Sequence, residues 1–281
     1  MRKLEKWSRY FIRGLVAIAG FYLLLCFLLW RYQTRLIFFP STHIKSVPTD
    51  VRMAYEDVFL AVREDQLHGW WIPSDTENTP TILYLHGNGS NVGDLVARTR
   101  ILQQLGYRLF LLDYRGYGRS SGPFPNEKRV YEDAETAWRY LTERRGIPPQ
   151  RIIIYGRSLG SAIAFHLAIR HPDAAGIIVE SPFPSMRVVA ASRLPLLPVD
   201  WLLNQHFDSL EKVRDLQIPV LAIWGTADRE IPPTSSQILY NAIPTAKTRV
   251  LIEGGGHTNL PRLGGDRYTT AIQDFIEQYA N

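Results

Sequence analysis

The stretch RIIIYGRSLGSAIAFHLAIR, residues 151–170, decides the fold. Its first five residues form an apolar run of the kind found in strands buried on both faces of a parallel sheet. Its last ten, rich in Ala, Ile and Leu, predict a helix. Between them, GRSLG at 156–160 matches the sharp strand-to-helix turn that holds a serine exposed above such a sheet. The pattern therefore predicts a strand, an exposed Ser158 and a helix, in that order.

The rest of the chain repeats this alternation from about residue 56. The predicted strands are 57–62, 66–72, 81–85, 108–113, 151–155, 176–180, 219–224 and 248–253. The predicted helices are 92–105, 127–144, 161–170, 235–242 and 266–279. Alternating strands and helices predict an α/β fold with a mostly parallel eight-stranded sheet and helices on both faces. A short polar turn joins the first two strands, which predicts an antiparallel hairpin at one edge.

One connection is too long for an ordinary loop. About 36 residues, 182–217, separate two predicted strands, whereas most connections have about 4–6 residues. We expect a small helical cap near the ends of the strands, with Leu197, Trp201 and His206 as candidate substrate contacts. Its apolar face is interpreted first as packing against the core. The alternative is that part of this face lines an acyl pocket beside a bilayer.

Charge and cysteine content exclude several classes of protein. The net charge of +5 over 281 residues is concentrated in residues 1–13, which carry five basic side chains and one acidic. The remaining 268 residues have a net charge of +1, so the sequence lacks the basic surface of a nucleic-acid-binding protein. A single cysteine excludes a disulfide framework and every metal site built from several cysteines.

An apolar segment near the N-terminus predicts a membrane anchor. Residues 14–30 carry no charge, and 11–30 reach the roughly 20 residues needed to cross a bilayer. No small-residue cleavage site follows, so an uncleaved signal anchor is preferred to a signal peptide. The predicted organisation is a basic tail at 1–13, the anchor at 11–30, a juxtamembrane segment at 31–51 and a folded domain at 52–281. Five basic residues before the anchor against three after it favour a cytoplasmic N-terminus, with the folded domain on the opposite side.

Two further residues complete a candidate catalytic triad. A serine becomes a useful nucleophile when a histidine takes its proton and a carboxylate orients that histidine. Asp228 follows the predicted strand VLAIWG, and His257 follows the next one 29 residues later. The order Ser158, Asp228, His257 and their positions after strand ends fit this arrangement. Glu230 is the alternative acid.

The loop HGNGSN, residues 86–91, is the candidate second part of an oxyanion hole. One backbone N–H would come from Leu159 at the start of a helix. The other would come from the loop after the third strand, with the Asn88 N–H preferred and Gly89 as the alternative. The His86 side chain is expected to fix this loop by a hydrogen bond to the loop backbone. The histidines lack metal-ligand spacing, and we expect no metal and no cofactor.

Five motifs together resemble the α/β-hydrolase superfamily of serine hydrolases. They are YLHGNGSN, DYRGYGRSSG, YGRSLGSAIA, WGTAD and GGGH, and the resemblance covers residues 52–279. The sequence is most similar to single-pass, membrane-anchored α/β-hydrolase domain-containing proteins, with a core like that of serine aminopeptidases. The resemblance implies that Ser158 attacks an acyl carbonyl, His257 is the base and Asp228 is the acid.

The expected activity is hydrolysis of a carboxylic ester or thioester through an acyl-enzyme. The expected partners are a small-molecule or lipid acyl ester as substrate and a membrane, with no nucleic acid; no feature indicates an oligomeric state. A peptidase of the serine aminopeptidase type and a protein or lipid thioesterase are the enzymatic alternatives. A catalytically silent membrane scaffold is the alternative outside enzymes, because one fold can serve many functions.

Overall fold

The structure is a computed structural model that describes residues 2–76 and 78–280, without the side chains of residues 2–6 and 8. Arg2, Lys3 and Lys6 of the predicted basic tail therefore have side chains outside the described part.

The domain is built on one eight-stranded sheet. Its strands are β1 Glu56–Val62, β2 Asp65–Ile72, β3 Thr81–Leu85, β4 Arg108–Leu112, β5 Ile152–Arg157, β6 Gly176–Glu180, β7 Val220–Gly225 and β8 Lys247–Ile252. Their order in the sheet is β1-β2-β4-β3-β5-β6-β7-β8. The pairs β1–β2 and β2–β4 are antiparallel and the other pairs are parallel. The predicted fold class and edge hairpin are confirmed.

The pattern of burial follows the position of each strand. Every residue of β3, β6 and β7 is buried, as expected for central strands covered by helices on both faces. The edge strand β1 alternates, because only one of its faces packs on the core. Apolar clusters cover both faces of the sheet, one around Phe110 and Trp224 and the other around Tyr84 and Tyr268.

Nine α-helices complete the described part of the chain. They are α1 Arg2–Ile37, α2 Val92–Gln104, α3 Glu127–Arg139, α4 Leu159–Arg170, α5 Met186–Arg193, α6 Val199–Leu202, α7 Ser209–Lys212, α8 Pro233–Ala242 and α9 Leu260–Tyr279. A π-helical turn, Tyr140–Arg144, extends α3 to the end of the predicted helix. Helices α5, α6 and α7 lie in the segment that the sequence predicts as a cap, and α5 and α6 contact each other.

Helix α1 is longer than the predicted anchor. It has 36 residues, which corresponds to about 54 Å, and continues seven residues beyond Trp30. The part Arg9–Ile37 is long and apolar enough to cross a membrane. Beyond its end the chain turns into the domain, where Phe38 is buried against Phe207.

Candidate active site

Ser158 lies in the sharp turn between β5 and α4. Its backbone has φ 52° and ψ −119°, a conformation that non-glycine residues rarely adopt. Such strained conformations are found mostly at functional sites. Its N–H donates to the Glu180 carbonyl at 2.8 Å, which ties the turn to β6. A Cβ at Gly156 would collide with the Gly160 backbone, and a Cβ at Gly160 would collide with the Leu85 backbone. The two glycines are therefore required for this turn to pack.

The structure brings Ser158, His257 and Asp228 together from three different strand ends. The Ser158 Oγ lies 3.0 Å from His257 Nε2, and His257 Nδ1 lies 2.8 Å from Asp228 Oδ2. Because the carboxylate accepts from Nδ1–H, Nε2 is left to accept the serine proton. The His257 and Asp228 side chains are 8% and 1% exposed, so the chain of hydrogen bonds is shielded from water. This is the geometry of an activated serine.

Asp228 is held as an anion by several donors. Its Oδ2 also accepts from the Ser181 hydroxyl at 2.8 Å, and its Oδ1 accepts from the N–H groups of Glu230 and Ile231 at 2.9 and 3.0 Å. Burial raises the pKa of Asp228, but the hydrogen bonds from His257, Ile231 and Ser181 outweigh it and leave the pKa below its ordinary value. The carboxylate can therefore orient His257 at neutral pH.

Glu230, the alternative acid, occupies a different position. Its carboxylate lies 3.7 Å from His257 Nε2, on the side that faces Ser158, and its side chain is 62% exposed. A carboxylate on that side does not hold Nδ1–H. The geometry thus favours Asp228 as the orienting acid.

The two residues that carry the candidate oxyanion donors line the same cavity as Ser158. Leu159 is the first residue of α4, so its N–H has no acceptor within the helix. No described residue accepts a hydrogen bond from the Asn88 N–H, and both residues line the cavity with Ser158. The His86 Nδ1–H donates to the Gly87 carbonyl at 2.8 Å, and burial lowers the pKa of its imidazole. A neutral His86 thus braces this loop, as the sequence predicts.

The side chain of Asn88 has a role that the sequence analysis missed. Its Oδ1 accepts from the Phe39 N–H at 2.9 Å and from the Tyr117 hydroxyl at 3.0 Å, and its Nδ2 donates to the Ile37 carbonyl. Asn88 therefore joins the candidate oxyanion loop to the C-terminal end of α1. No local sequence pattern predicts this contact, because the residues that Asn88 contacts at the end of α1 lie about 50 residues earlier in the chain.

Glu180 is a second missed residue, at the end of β6 directly beneath the turn. Its fully buried carboxylate accepts from Arg98 Nη1 at 2.6 Å, from the Tyr268 hydroxyl at 2.5 Å and from the Tyr155 hydroxyl. Burial raises its pKa, but Arg98 and the two tyrosine hydroxyls outweigh burial, so the pKa lies below its ordinary value. A charge at the end of the apolar run GIIVE was the signal available in the sequence.

The network around Glu180 extends to the loop that carries His257. The Arg98 Nη2 donates to the Thr258 carbonyl at 3.1 Å, and the Arg157 Nη2 donates to the His257 carbonyl at 2.9 Å. Since Arg98 also binds Glu180, the loop that carries His257 is fixed from the core side. The network therefore positions the candidate base without touching the reacting atoms.

A cavity of about 240 Å³ opens beside Ser158 and lies between the cap and α1. Of the three candidate substrate contacts in the cap, Leu197 lines this cavity. Trp201 and His206 are not among its lining residues, and Trp201 is 89% exposed. Within residues 2–76 and 78–280, no cluster of three or more His, Cys, Asp or Glu side chains could hold a metal ion.

The chain is similar to several known proteins. Residues 76–211 match the family described as Serine aminopeptidase, S33. The chain is 35% identical over 257 residues to an uncharacterized protein of Mycobacterium tuberculosis, covering 90% of each chain. It is 31% identical over 224 residues to alpha/beta hydrolase domain-containing protein 17C of Mus musculus, covering 78% of this chain and 67% of the mouse protein.

Among solved structures, an esterase of Pyrococcus furiosus is similar to this chain, with a TM-score of 0.72 at 18% sequence identity. The match covers 87% of this chain and 98% of the esterase. At this level of identity the likeness concerns the fold, while the relatives above carry the family assignment. The chain belongs to the α/β-hydrolase family.

Proposed function

We propose that this protein is a membrane-anchored serine hydrolase that cleaves carboxylic esters or thioesters through an acyl-enzyme. The observation that carries the proposal is the hydrogen-bonded chain from Ser158 through His257 to Asp228. The family assignment supports it at the level of a hydrolase. A binding protein would have no need for a serine in a strained turn, aligned with a buried histidine and carboxylate.

In the proposed reaction, the Ser158 Oγ attacks the acyl carbonyl while His257 Nε2 takes the hydroxyl proton. The tetrahedral intermediate collapses, the alcohol or thiol leaves with the proton from His257, and the acyl group stays on Ser158. Water then attacks this acyl-enzyme with His257 as base, which releases the carboxylic acid and restores the serine. Asp228 holds the imidazole in the required tautomer and stabilises the imidazolium.

The negative charge that develops on the carbonyl oxygen needs donors that are already in place. The N–H groups of Leu159 and Asn88 are proposed for this role, and Leu159 stands at the positive end of α4. Removing one such donor typically costs about 10²–10³-fold in rate. The side-chain ties of Asn88 to Ile37 and Phe39 would keep its N–H oriented toward the cavity.

The membrane part of the proposal concerns α1. Its apolar side chains from Phe11 to Trp30 are mostly exposed, as lipid-facing residues are. Residues 31–37 continue the helix up to the domain, so a helix that spans the bilayer would hold the domain at the membrane surface. We propose a signal anchor with a cytoplasmic N-terminus and the domain on the opposite side, from the excess of basic residues before it.

The proposal is tested by labelling with a fluorophosphonate, which reacts with activated serines. We expect the full chain in detergent to be labelled, and Ser158→Ala to abolish labelling. Ser192→Ala, which removes an exposed cap hydroxyl, is the matched control and should keep full labelling. A well-folded wild-type chain that remains unlabelled, and that hydrolyses no ester, would favour the silent membrane scaffold.

A peptidase activity is the second candidate, because Glu230 provides an acidic group in the cavity close to His257. A carboxylate there could bind the free amine of a peptide substrate. The acids of the cap do not add to it, since Asp200 pairs with Arg187 and Asp208 caps α7. Faster cleavage of an aminoacyl p-nitroanilide than of a p-nitrophenyl ester, lost in Glu230→Gln, would favour the peptidase.

A further inference from the structure

The cavity beside Ser158 has one wall that belongs to α1. Leu29, Gln33 and Leu36 line it from α1, opposite Val189 and Leu197 from the cap. The lining runs along α1 from Leu29 to the segment just after its end, a length of about 15 Å. The helix proposed as an anchor thus also forms part of the wall of the cavity beside Ser158.

Gln33 fastens α1 to the cap. Its amide nitrogen donates to the carbonyls of Trp30 and Leu202, at 2.9 and 3.0 Å, and its amide oxygen accepts from the Asn204 N–H at 2.8 Å. Gln33 is 7% exposed, so these bonds satisfy a polar group that is buried between the two elements. The cap and α1 therefore form one continuous surface around the mouth of the cavity.

Residues 194–203 of the cap, which include the short helix α6 and are called the cap loop below, expose large apolar side chains next to α1. Leu196 is 88% exposed and Trp201 is 89% exposed, the two highest values among the exposed large apolar side chains of the described residues. The charge on this loop, Asp200, is paired with Arg187 at 3.1 Å. Soluble surfaces rarely expose such a cluster, and Trp is typical of the boundary between headgroups and acyl chains.

A contact between the cap loop and α1 shows how deep the cap loop lies. The Tyr22 hydroxyl donates to the Leu196 carbonyl at 3.1 Å. Tyr22 precedes Trp30 by eight residues, so it lies about 12 Å further along the uncharged part of α1. If this part of α1 crosses the bilayer, Leu196 lies at the depth of the acyl chains, and Arg31 marks the level of the headgroups.

We infer that the cap loop inserts into the leaflet beside the domain, and that the substrate is an ester lipid of this leaflet whose acyl chain enters the cavity between α1 and the cap. The inference deepens the proposed function and rests on it. The acyl chain passes from hydrocarbon into an apolar cavity without crossing water, which avoids the cost of exposing it. The reaction transfers the acyl group from the lipid oxygen to Ser158 and then to water, giving a fatty acid and the deacylated lipid alcohol.

The test compares two esters with the same leaving group, using the full chain in phosphatidylcholine vesicles. The palmitoyl ester of 4-methylumbelliferone is dissolved in the bilayer, and the butyryl ester is supplied from water. The variant Leu196→Asp puts a carboxylate on the loop, and Ile238→Asp, at a 52% exposed position of α8, is the matched control. We expect Leu196→Asp to lower turnover of the palmitoyl ester about tenfold, because a charge opposes insertion, and to leave the butyryl ester within about twofold.

Several outcomes would overturn the inference. An unchanged palmitoyl rate in Leu196→Asp would show that the loop does not deliver substrate. An equal loss on both esters would show a structural role. If the wild-type chain cleaves the butyryl ester but not the palmitoyl ester, or cleaves only an S-palmitoylated peptide, the lipid assignment fails while the proposed hydrolase stands. Cleavage of neither ester and no fluorophosphonate labelling would remove the proposed function itself.

A second measurement reports on insertion without activity. Bimane is attached to a Trp201→Cys variant in a Cys26→Ser background, and vesicles carry lipids brominated along their acyl chains. We expect the fluorescence of this bimane to be quenched, and that of bimane at an Ile238→Cys control to be unaffected. Equal, weak quenching at both positions would place the loop in water and overturn the inference.

Discussion

Ser158 lies between two regions that are held together in different ways. On the core side, buried ionic hydrogen bonds converge on Asp228 and Glu180. On the opposite side, the cap and α1 meet through apolar surfaces and the hydrogen bonds of Gln33. The core side resembles the interior of a stable domain, whereas the cap side leaves Leu196 and Trp201 almost fully exposed.

Under the proposed function, this difference would assign catalysis to the core side and substrate selection to the cap side. A fully satisfied buried polar network is rigid, and catalysis benefits when its dipoles need no reorganisation. An apolar interface with few polar contacts can change shape at lower cost. Changes on the core side should therefore reduce the rate or the stability, and changes on the cap side should affect mainly which acyl groups are used.

The largest effect is expected for Asp228→Asn. An amide can present its NH₂ group to His257 and stabilise the wrong tautomer, so kcat for butyryl ester hydrolysis should fall about 10³–10⁴-fold. Asp173→Asn, at an exposed site, should leave kcat unchanged. A loss smaller than tenfold for Asp228→Asn would assign the acid role elsewhere, with Glu230 as the next residue to substitute.

A smaller effect, on stability, is expected for Glu180→Gln. The substitution leaves Arg98 buried without its anion, so the free energy of unfolding should fall by about 3 kcal/mol. Urea denaturation of the full chain in detergent measures this, with the exposed Glu143→Gln as control. An unchanged free energy of unfolding would show that the buried pair does not hold this side together.

The decrease in the free energy of unfolding caused by Glu180→Gln should depend on pH. Because the pKa of Glu180 is lower in the folded chain, its ionised form stabilises the fold at pH values above about 4.3, the ordinary glutamate value. This contribution is lost as pH falls through the lower, folded-state pKa. The gap in stability between wild type and Glu180→Gln should therefore narrow below about pH 4. A gap that widens would contradict an ionised Glu180.

The smallest effect is expected on the cap side, for Gln33→Leu. It leaves the Leu202 carbonyl and the Asn204 N–H without their partner, a cost of about 1–3 kcal/mol when such groups stay buried. We expect KM for the palmitoyl ester to rise about tenfold with a smaller change in kcat, since the reacting atoms lie elsewhere. Gln104→Leu, at the exposed end of α2, is the control. A fall in kcat without a change in KM would show that Gln33 contributes to the chemical step, and the contrast between the core side and the cap side would then fail.

Local patterns in the sequence were sufficient to predict the sheet. The eight strands lie within two residues of their predicted bounds, because each buried run is long, apolar and bounded by turn residues. Helix α9 begins at Leu260, before the predicted start at 266, but a kink at Gly265 divides it into two helical segments. Gly265 breaks the helical conformation with φ 47°, so the segment after it covers the predicted range 266–279.

Some residues of the candidate site could be predicted from the sequence and others could not. Ser158, Asp228 and His257 follow strand ends, so topology alone brings them to one edge of the sheet. The contacts of Gln33 and Asn88 depend on how α1 returns to the domain, and their partners are about 170 and 50 residues away. No periodicity encodes such a contact. The cap side was therefore predicted as a region but not as a surface shared with α1.

The hydrogen bonds between Asn88 and the end of α1 bear on whether this helix can be replaced or removed. A membrane anchor that only tethers can be exchanged for any helix of similar hydrophobicity. Here the carbonyl of Ile37 and the N–H of Phe39 are partners of the loop that faces the serine. A soluble form cut after Phe39 would lose both partners together with one wall of its cavity. Under the proposed function, α1 and the hydrolase domain could therefore not be exchanged separately. Sequence variation in residues 29–39 should then follow the substrate of the enzyme rather than the membrane in which it lies.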